Sequence, residues 1–175
     1  MLVGAPLTGH FNPAHIDKLR NFCINHSDSI NQKTSRYKRI YISRSRAQMR
    51  KVENEDQIQS ILLENDIKLL HTEDYSFWEQ VQLFIHCETL ISVHGVGLTN
   101  MIFMPKNTQV LEFIIDPQQS SSIETLCYRS LAESCGISHE YLHCNKAEDK
   151  SSRTDEHKNI LISETALKAT LKRLL

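Results

Sequence analysis

His94-Gly-Val-Gly-Leu-Thr-Asn100 sets an imidazole, two glycines and a carboxamide within one short stretch. It follows the apolar run Thr89–Val93 and leads into Leu98, Met101, Ile102 and Phe103. A strand, a glycine turn and a helix start aim backbone N–H groups and the positive end of the helix dipole at one point, where a phosphate is attracted. Gly95 and Gly97 are expected to permit positive φ and to leave room for a ligand against the main chain. The spacing is not G-x-G-x-x-G and no G-K-S/T follows, so a tight strand-to-helix turn without a ligand explains the same residues.

The second cluster is Arg44-Ser-Arg-Ala-Gln-Met-Arg50, with Lys51 next to it. A guanidinium binds two phosphate oxygens with its planar fork, so Arg44 and Arg50 suit a diphosphate. A surface basic loop balanced by Glu53, Glu55 and Asp56 is the plainer account. Glu112 interrupts an apolar strand, where a carboxylate needs a partner. Ribose hydroxyls are one such partner, and exposure at a sheet edge is the alternative. Asn100 either meets a phosphate or ribose or fastens the helix start. Phe77 and Trp78 read as core rather than as a platform for a base.

The elements that position these residues alternate. A helix capped by Asn12 and opened by Pro13 carries Ile16, Leu19, Phe22 and Cys23 on one face, and a polar loop follows over 25–38. This lead-in, residues 1–38, is expected to stand apart from the domain formed by 39–175. Within that domain the predicted strands are Arg39–Ser43, Ile67–Leu70, the run ending near Val93, Gln109–Ile115 and Ser138–Cys144. Between them, Asn54 should cap a helix with Ile58, Ile61 and Leu62 inward. Ser76 and Glu79 form a capping box on a helix with Phe77, Val81, Phe84 and Ile85 inward. Ser120–Ser122 precede a helix with Leu126, Tyr128, Leu131 and Cys135 that ends at Gly136. After a solvated loop over 145–158, Asn159–Ile162 is extended and Ser163 caps a last helix. Such alternation makes an α/β fold, a Rossmann-like parallel sheet with helices on both faces. Ligands of these sheets lie at the C-terminal strand ends, which is where His94 and Arg44 fall.

Composition narrows the function. The 175 residues are 40% hydrophobic and 23% charged with a formal net charge of -1, enough for one ordinary core and against general nucleic-acid binding. No apolar run spans a bilayer and no signal-peptide pattern follows Met1. The five cysteines are odd in number and lack C-x-x-C spacing, which favours reduced thiols and a cytoplasmic setting, at most peripheral to a membrane. His10/His15 and His139/His143 are the close histidine pairs; neither has a third ligand nearby, so no metal site is expected.

Several of these elements recur together in one known family. Tyr41-Ile-Ser-Arg44, Arg50, Asn54-Glu-Asp56, Phe77-x-x-Gln80, His94-Gly-Val-Gly-Leu-Thr-Asn100, Phe103-x-Pro105 and Val110-Leu-Glu112 resemble glycosyltransferase family 61 in order and spacing. The likeness runs from about Gly9 to Ile115, with Val96 where members usually carry alanine. That family includes capsular polysaccharide enzymes and eukaryotic xylosyl- and N-acetylglucosaminyltransferases. The resemblance implies the C-terminal, donor-binding lobe of an inverting GT-B enzyme that uses a nucleotide-sugar, commonly a UDP-sugar, on a glycan or protein-linked acceptor. On it, Arg44 and Arg50 would neutralise the diphosphate; Gly95, Gly97 and Leu98 would give backbone donors, with Asn100 nearby. Glu112 would meet the ribose, and His94 would touch the phosphate or reach toward the reacting carbon. No cofactor or metal would be required. A missing N-terminal lobe or a homodimer would complete the cleft; a non-catalytic nucleotide-binding module derived from such an enzyme is the alternative.

Overall fold

A computed structural model of the protein describes residues 11–28, 35–116, 118, 126–148 and 158–175. Its frame is a six-stranded sheet of β1 (Arg39–Ile42), β2 (Lys68–Leu70), β3 (Thr89–Val93), β4 (Gln109–Ile115), β5 (Ser138–Lys146) and β6 (Ile160–Leu161). The order is β2-β1-β3-β4-β5-β6; neighbours run parallel except β5 and β6, which are antiparallel. The fold is the expected α/β arrangement. From β1 the chain winds outward to β2, then returns to β3 and winds the other way. Winding therefore reverses between β1 and β3, and this opens a crevice at their C-terminal ends.

Alternation of side chains along the strands divides the core. Ile40 and Ile42, Leu90, and Val110 face one layer. That layer is α1 (Pro13–Asp28), α3 (Phe77–Phe84), the 3-10 helix Val96–Phe103 and α4 (Cys127–Cys135). Tyr41, Ile91, Val93, Leu111, Phe113 and Ile115 face the other, where α2 (Glu55–Glu64) packs on α5 (Glu164–Leu174). In the parallel register Ile42 pairs with Ser92 and Ser92 with Glu112, so these three line up across the first face.

Local signals explain several helix ends. The Ser76–Glu79 capping box forms in both directions, Ser163 Oγ accepts from Ala166 N, and Gly136 ends α4 at φ 70. Asn12 Oδ1 accepts from Ala14 N at 2.9 Å at the start of α1.

Other expectations need correction. The lead-in helix does not stand apart: Ile16 and Cys23 join the core, His26 lies 4.6 Å from the Trp78 ring, and Gln82 Nε2 donates to Ser27 O. It also continues to Asp28, into the stretch read as loop. Leu19 and Phe22, assigned to its inner face, are 47% and 66% exposed because that face meets α3 and α4 at Ile16 and Cys23. Phe77, also expected inward, is 53% exposed because it lines an open cleft, while Trp78 packs against the core. Asn54 stands at the N-cap position of α2, but its side chain makes no cap bond. Its amide instead donates to Ile162 O and accepts from Ile162 N, which ties the exit of β1 to β6. The stretch 120–122 and most of the loop after Lys146 lie outside the described residues.

Candidate functional site

The crevice between β1 and β3 is formed by the residues that leave those strands. Tyr41 OH and Ser43 Oγ both donate to Glu55, at 2.6 and 2.7 Å, which anchors the end of β1 to α2. Arg44 follows. Its guanidinium lies flat against Gly95: a Cβ there would be 2.9 Å from Arg44 Nη1. The glycine is required by this close approach and not by positive φ, which was the expectation. Gly95 has φ 165, an extended conformation open to any residue. Gly97 serves packing similarly, with a Cβ placed 3.3 Å from Ile42 Cδ1, so the 3-10 helix can press onto β1.

Arg50 comes to the same corner by a different route. Its φ of 58 is left-handed, a costly conformation for a bulky L-residue and one that accumulates at functional sites. Neighbouring bonds brace it. Ile160 N donates to Lys51 O, Glu53 N donates to Ile160 O, and Lys51 N donates to Asn159 Oδ1. Arg50 Nη1 then donates to His94 O at 3.2 Å. Burial first, then the charge of Arg50, holds the Arg44 guanidinium below its ordinary value. It remains a cation at any ordinary pH. Arg44 Nη2 donates to Met49 O, and its Nε is buried with no hydrogen-bond partner. Two mutually repelling cations and an orphaned donor make a corner that an oxyanion would relieve. Arg46 differs: it is exposed and paired with Asp74 Oδ1 at 2.5 Å.

His94 and Glu112 sit one layer deeper. Glu112 is 1% exposed, so neither an edge position nor contact with a ribose describes it. Both of its oxygens are engaged: Oε1 by His94 Nδ1, and Oε2 by His139 Nε2 at 2.7 Å. Burial pushes the carboxyl up, but hydrogen bonds and charge from His139 and His94 together outweigh it and hold Glu112 below the usual range. The Tyr128 ring meets His94 edge-on at 5.0 Å, and burial leads in pushing its phenol up to about 12. His139 was noted in the sequence as half of a histidine pair, without this role. The available signal was the buried carboxylate in β4, but only the β4–β5 register reveals which histidine answers it.

The remaining expected donors differ in use. Leu98 N, expected to face a phosphate, donates instead to Gly95 O at 3.0 Å and closes the first turn of the 3-10 helix. The N–H groups of Val96 and Gly97 stand ahead of it at the helix start. Asn100 Nδ2 donates to Gln80 Oε1 and Gly97 O, both at 3.2 Å, so its amide fastens the helix start to α3. In front of this corner opens a cleft of ≈ 710 Å³ whose walls include Arg44, Thr72, Phe77, Val96, Gly97 and Asn100. That volume suits an organic ligand of nucleotide size. Arg50, His94 and Glu112 are not in its wall: Arg50 lies beside Arg44, the His94 side chain keeps 24% of its surface exposed, and Glu112 is buried beneath it.

The sequence model of the family described as Glycosyltransferase 61 matches residues 2–111. The chain is also 31% identical over 102 residues to the EGF domain-specific O-linked N-acetylglucosamine transferase of Drosophila melanogaster. That alignment covers 55% of this chain and 18% of the relative, so the chain spans under a fifth of the length of the curated relative it matches. No helix among the described residues is long and apolar enough to cross a membrane. The chain belongs to glycosyltransferase family 61.

Proposed function

We propose that this chain is the donor-binding half of an inverting, GT-B-type glycosyltransferase that takes a nucleotide-sugar, in our reading a UDP-sugar. The observation that carries the proposal is the Arg44 guanidinium seated on Gly95 at the β1–β3 reversal, with Arg50 beside it. In sugar transfer an acceptor hydroxyl attacks the anomeric carbon as the bond to the diphosphate oxygen breaks. Both electrons of that bond leave with the diphosphate, and the hydroxyl proton goes to a base. Negative charge therefore grows on the leaving oxygen, and fixed cations aimed there lower the barrier. Arg44, Arg50 and the N–H groups opening the 3-10 helix supply this without a metal.

The nucleoside would extend along the cleft past Thr72 and Phe77. The acceptor would approach from the open side, where a second lobe or a second copy of the chain would hold it. The relative's name joins N-acetylglucosamine to an EGF domain; by analogy the acceptor here is a hydroxyl on a protein or glycan, polysaccharide synthesis included. For the compartment we take the cytoplasm, because thiols that remain free suit a reducing setting.

Calorimetry of UDP, GDP, UMP and uridine against the chain tests the reading. UDP is expected to saturate one site and to bind more tightly than UMP, with uridine weakest. Equal affinity for UDP and uridine, or no binding by any diphosphate, would overturn it.

A further inference from the structure

The deepest polar feature of the site lies beyond the family match, which ends at residue 111. Glu112 is the one carboxylate among the buried polar side chains described, and it is bracketed by two imidazoles. Those imidazoles are unequally placed, His94 with a side chain 24% exposed and His139 with one 2% exposed.

An ionised carboxylate only accepts hydrogen bonds, so each ring nitrogen facing it must carry hydrogen. For His139 that places hydrogen on Nε2, consistent with its Nδ1, which is buried and has no partner. A hydrogen on Nδ1 instead would leave a buried donor unsatisfied and two acceptors opposed. For His94 the same rule places hydrogen on Nδ1, which leaves Nε2 as the ring's acceptor. The neighbours of His94 fit that assignment, and the Tyr141 ring stands T-shaped to His139 at 4.6 Å. Tyr128 from α4 presents its ring edge, Arg50 donates to the His94 carbonyl and not to the ring, and Arg44 lies over Gly95.

We propose that His139 is a positioning residue of this site: through Glu112 it fixes His94 as the tautomer with hydrogen on Nδ1, so that His94 Nε2 accepts a hydrogen bond or a proton from a hydroxyl group. A phosphate oxygen has no hydrogen to offer such a nitrogen, so the matching ligand group is a hydroxyl of the sugar donor or of the acceptor. Phosphate belongs to Arg44, Arg50 and the N–H groups that open the 3-10 helix. If the hydroxyl is the attacking one, its proton moves to Nε2 as the new glycosidic bond forms and the bond to the diphosphate breaks, its electron pair leaving on the diphosphate oxygen; Glu112 stabilises the resulting imidazolium. The geometric part stands by itself; the chemical use rests on the donor-site reading above.

The test is nitrogen NMR of the full chain labelled in its histidine rings, in alkaline buffer. Wild-type His94 is expected to show hydrogen on Nδ1 and a bare Nε2. His139→Gln, whose amide can still donate to Glu112, should keep that signature, and His139→Leu should lose it toward the mixed tautomers of free imidazole. A merely structural histidine would not produce this split between Gln and Leu. Hydrogen on His94 Nε2 in the wild type or in His139→Gln overturns the proposal, even should the Leu variant fail to fold. An unchanged His94 in a folded His139→Leu overturns it too. UDP added to the wild-type sample separates the two claims: no UDP binding with the expected tautomer defeats the donor reading and leaves the positioning role intact.

Discussion

The two sides of Gly95 are constructed on opposite terms. On one side Arg44 and Arg50 are cations pressed together at a cleft, with a buried Nε unmatched and a backbone held left-handed. On the other side Glu112 is fully buried with both oxygens bonded. The first region is under-satisfied, as binding sites are before the ligand arrives, and the second is complete without one. On the proposed reading the contrast has a use: unfavourable electrostatics marks where the ligand would bind, while the satisfied network keeps its neighbour in place. Substitutions should accordingly damage binding on one side and stability on the other.

The largest effect is expected at Arg44. If its fork meets the diphosphate, Arg44→Ala should weaken UDP binding by about 1.5–3 kcal/mol, the range for a charge-assisted hydrogen bond. Uridine, which has no phosphate, should hardly change. Gly95→Ala should do similar harm by a different cause, because its Cβ would displace Arg44 Nη1 from a 2.9 Å approach. Both variants should melt near the wild-type temperature: Arg44→Ala relieves the Arg44–Arg50 repulsion as it loses packing, and the Gly95→Ala methyl crowds only the flexible end of Arg44. Equal losses for UDP and uridine, or collapse of the melting temperature, would break the comparison.

Glu112 is expected to respond in the other direction. Glu112→Gln should lower folding stability by about 1–3 kcal/mol, because one histidine N–H is left with a neutral amide oxygen and the other faces an NH2 donor. The pH dependence follows from the direction of the shift. The folded carboxyl is held below its ordinary value, so its contribution is present above the unfolded value and is lost as pH falls through the folded one. Urea midpoints of wild type and Glu112→Gln should therefore differ most near neutrality and converge in acid below the usual carboxylate range. A gap that widens in acid would mean that Glu112 is not held as an anion.

That asymmetry also sets what the sequence could reveal. The arginine side comes from short-range spacing: Arg44 ends a strand, Gly95 ends another, and parallel order places strand ends together. The strands, the Ser76 capping box and the helix stop at Gly136 are local for the same reason. The histidine side depends on register across distant strands, since His139 and Glu112 are 27 residues apart, and no spacing announces that pair. Asn54 misled in the same way. It has the residue type and place of an N-cap, yet Ile162, 108 residues later, takes its amide. Tertiary partners overrode a local preference there. At Phe77 the amphipathic pattern was sound for Val81 and Phe84, but the first turn of the helix places Phe77 on the cleft wall.

A smaller effect sharpens the distinction among the arginines. Arg46 is in the same loop as Arg44 and lines the same cleft, but its guanidinium is exposed and paired with Asp74. Arg46→Ala should change UDP affinity by less than about threefold, because an exposed pair in water contributes little. A loss as large as that of Arg44→Ala would mean the whole loop acts as a diffuse basic surface.

The smallest expected effect is that of chelation. Enzymes that hold a sugar-nucleotide diphosphate through a divalent cation need carboxylates set to share that cation, commonly as D-x-D, because hard ions take oxygen ligands. The sequence contains no D-x-D. At the corner where the diphosphate is expected, the cations are Arg44 and Arg50; Glu73 on the cleft wall is a single carboxylate, and the deep one, Glu112, already has both oxygens bonded to histidines. A divalent cation placed beside two guanidiniums would add repulsion to a site already under strain from like charges. Binding of UDP should thus be the same with a chelator as without one, and added magnesium should weaken it slightly by occupying the free diphosphate. Parallel titrations of UDP in chelator, in plain buffer and in magnesium measure this directly. A marked gain of affinity on adding the ion would show that the arginines do not neutralise the diphosphate on their own, and the open side of the comparison would have to be redrawn around a metal.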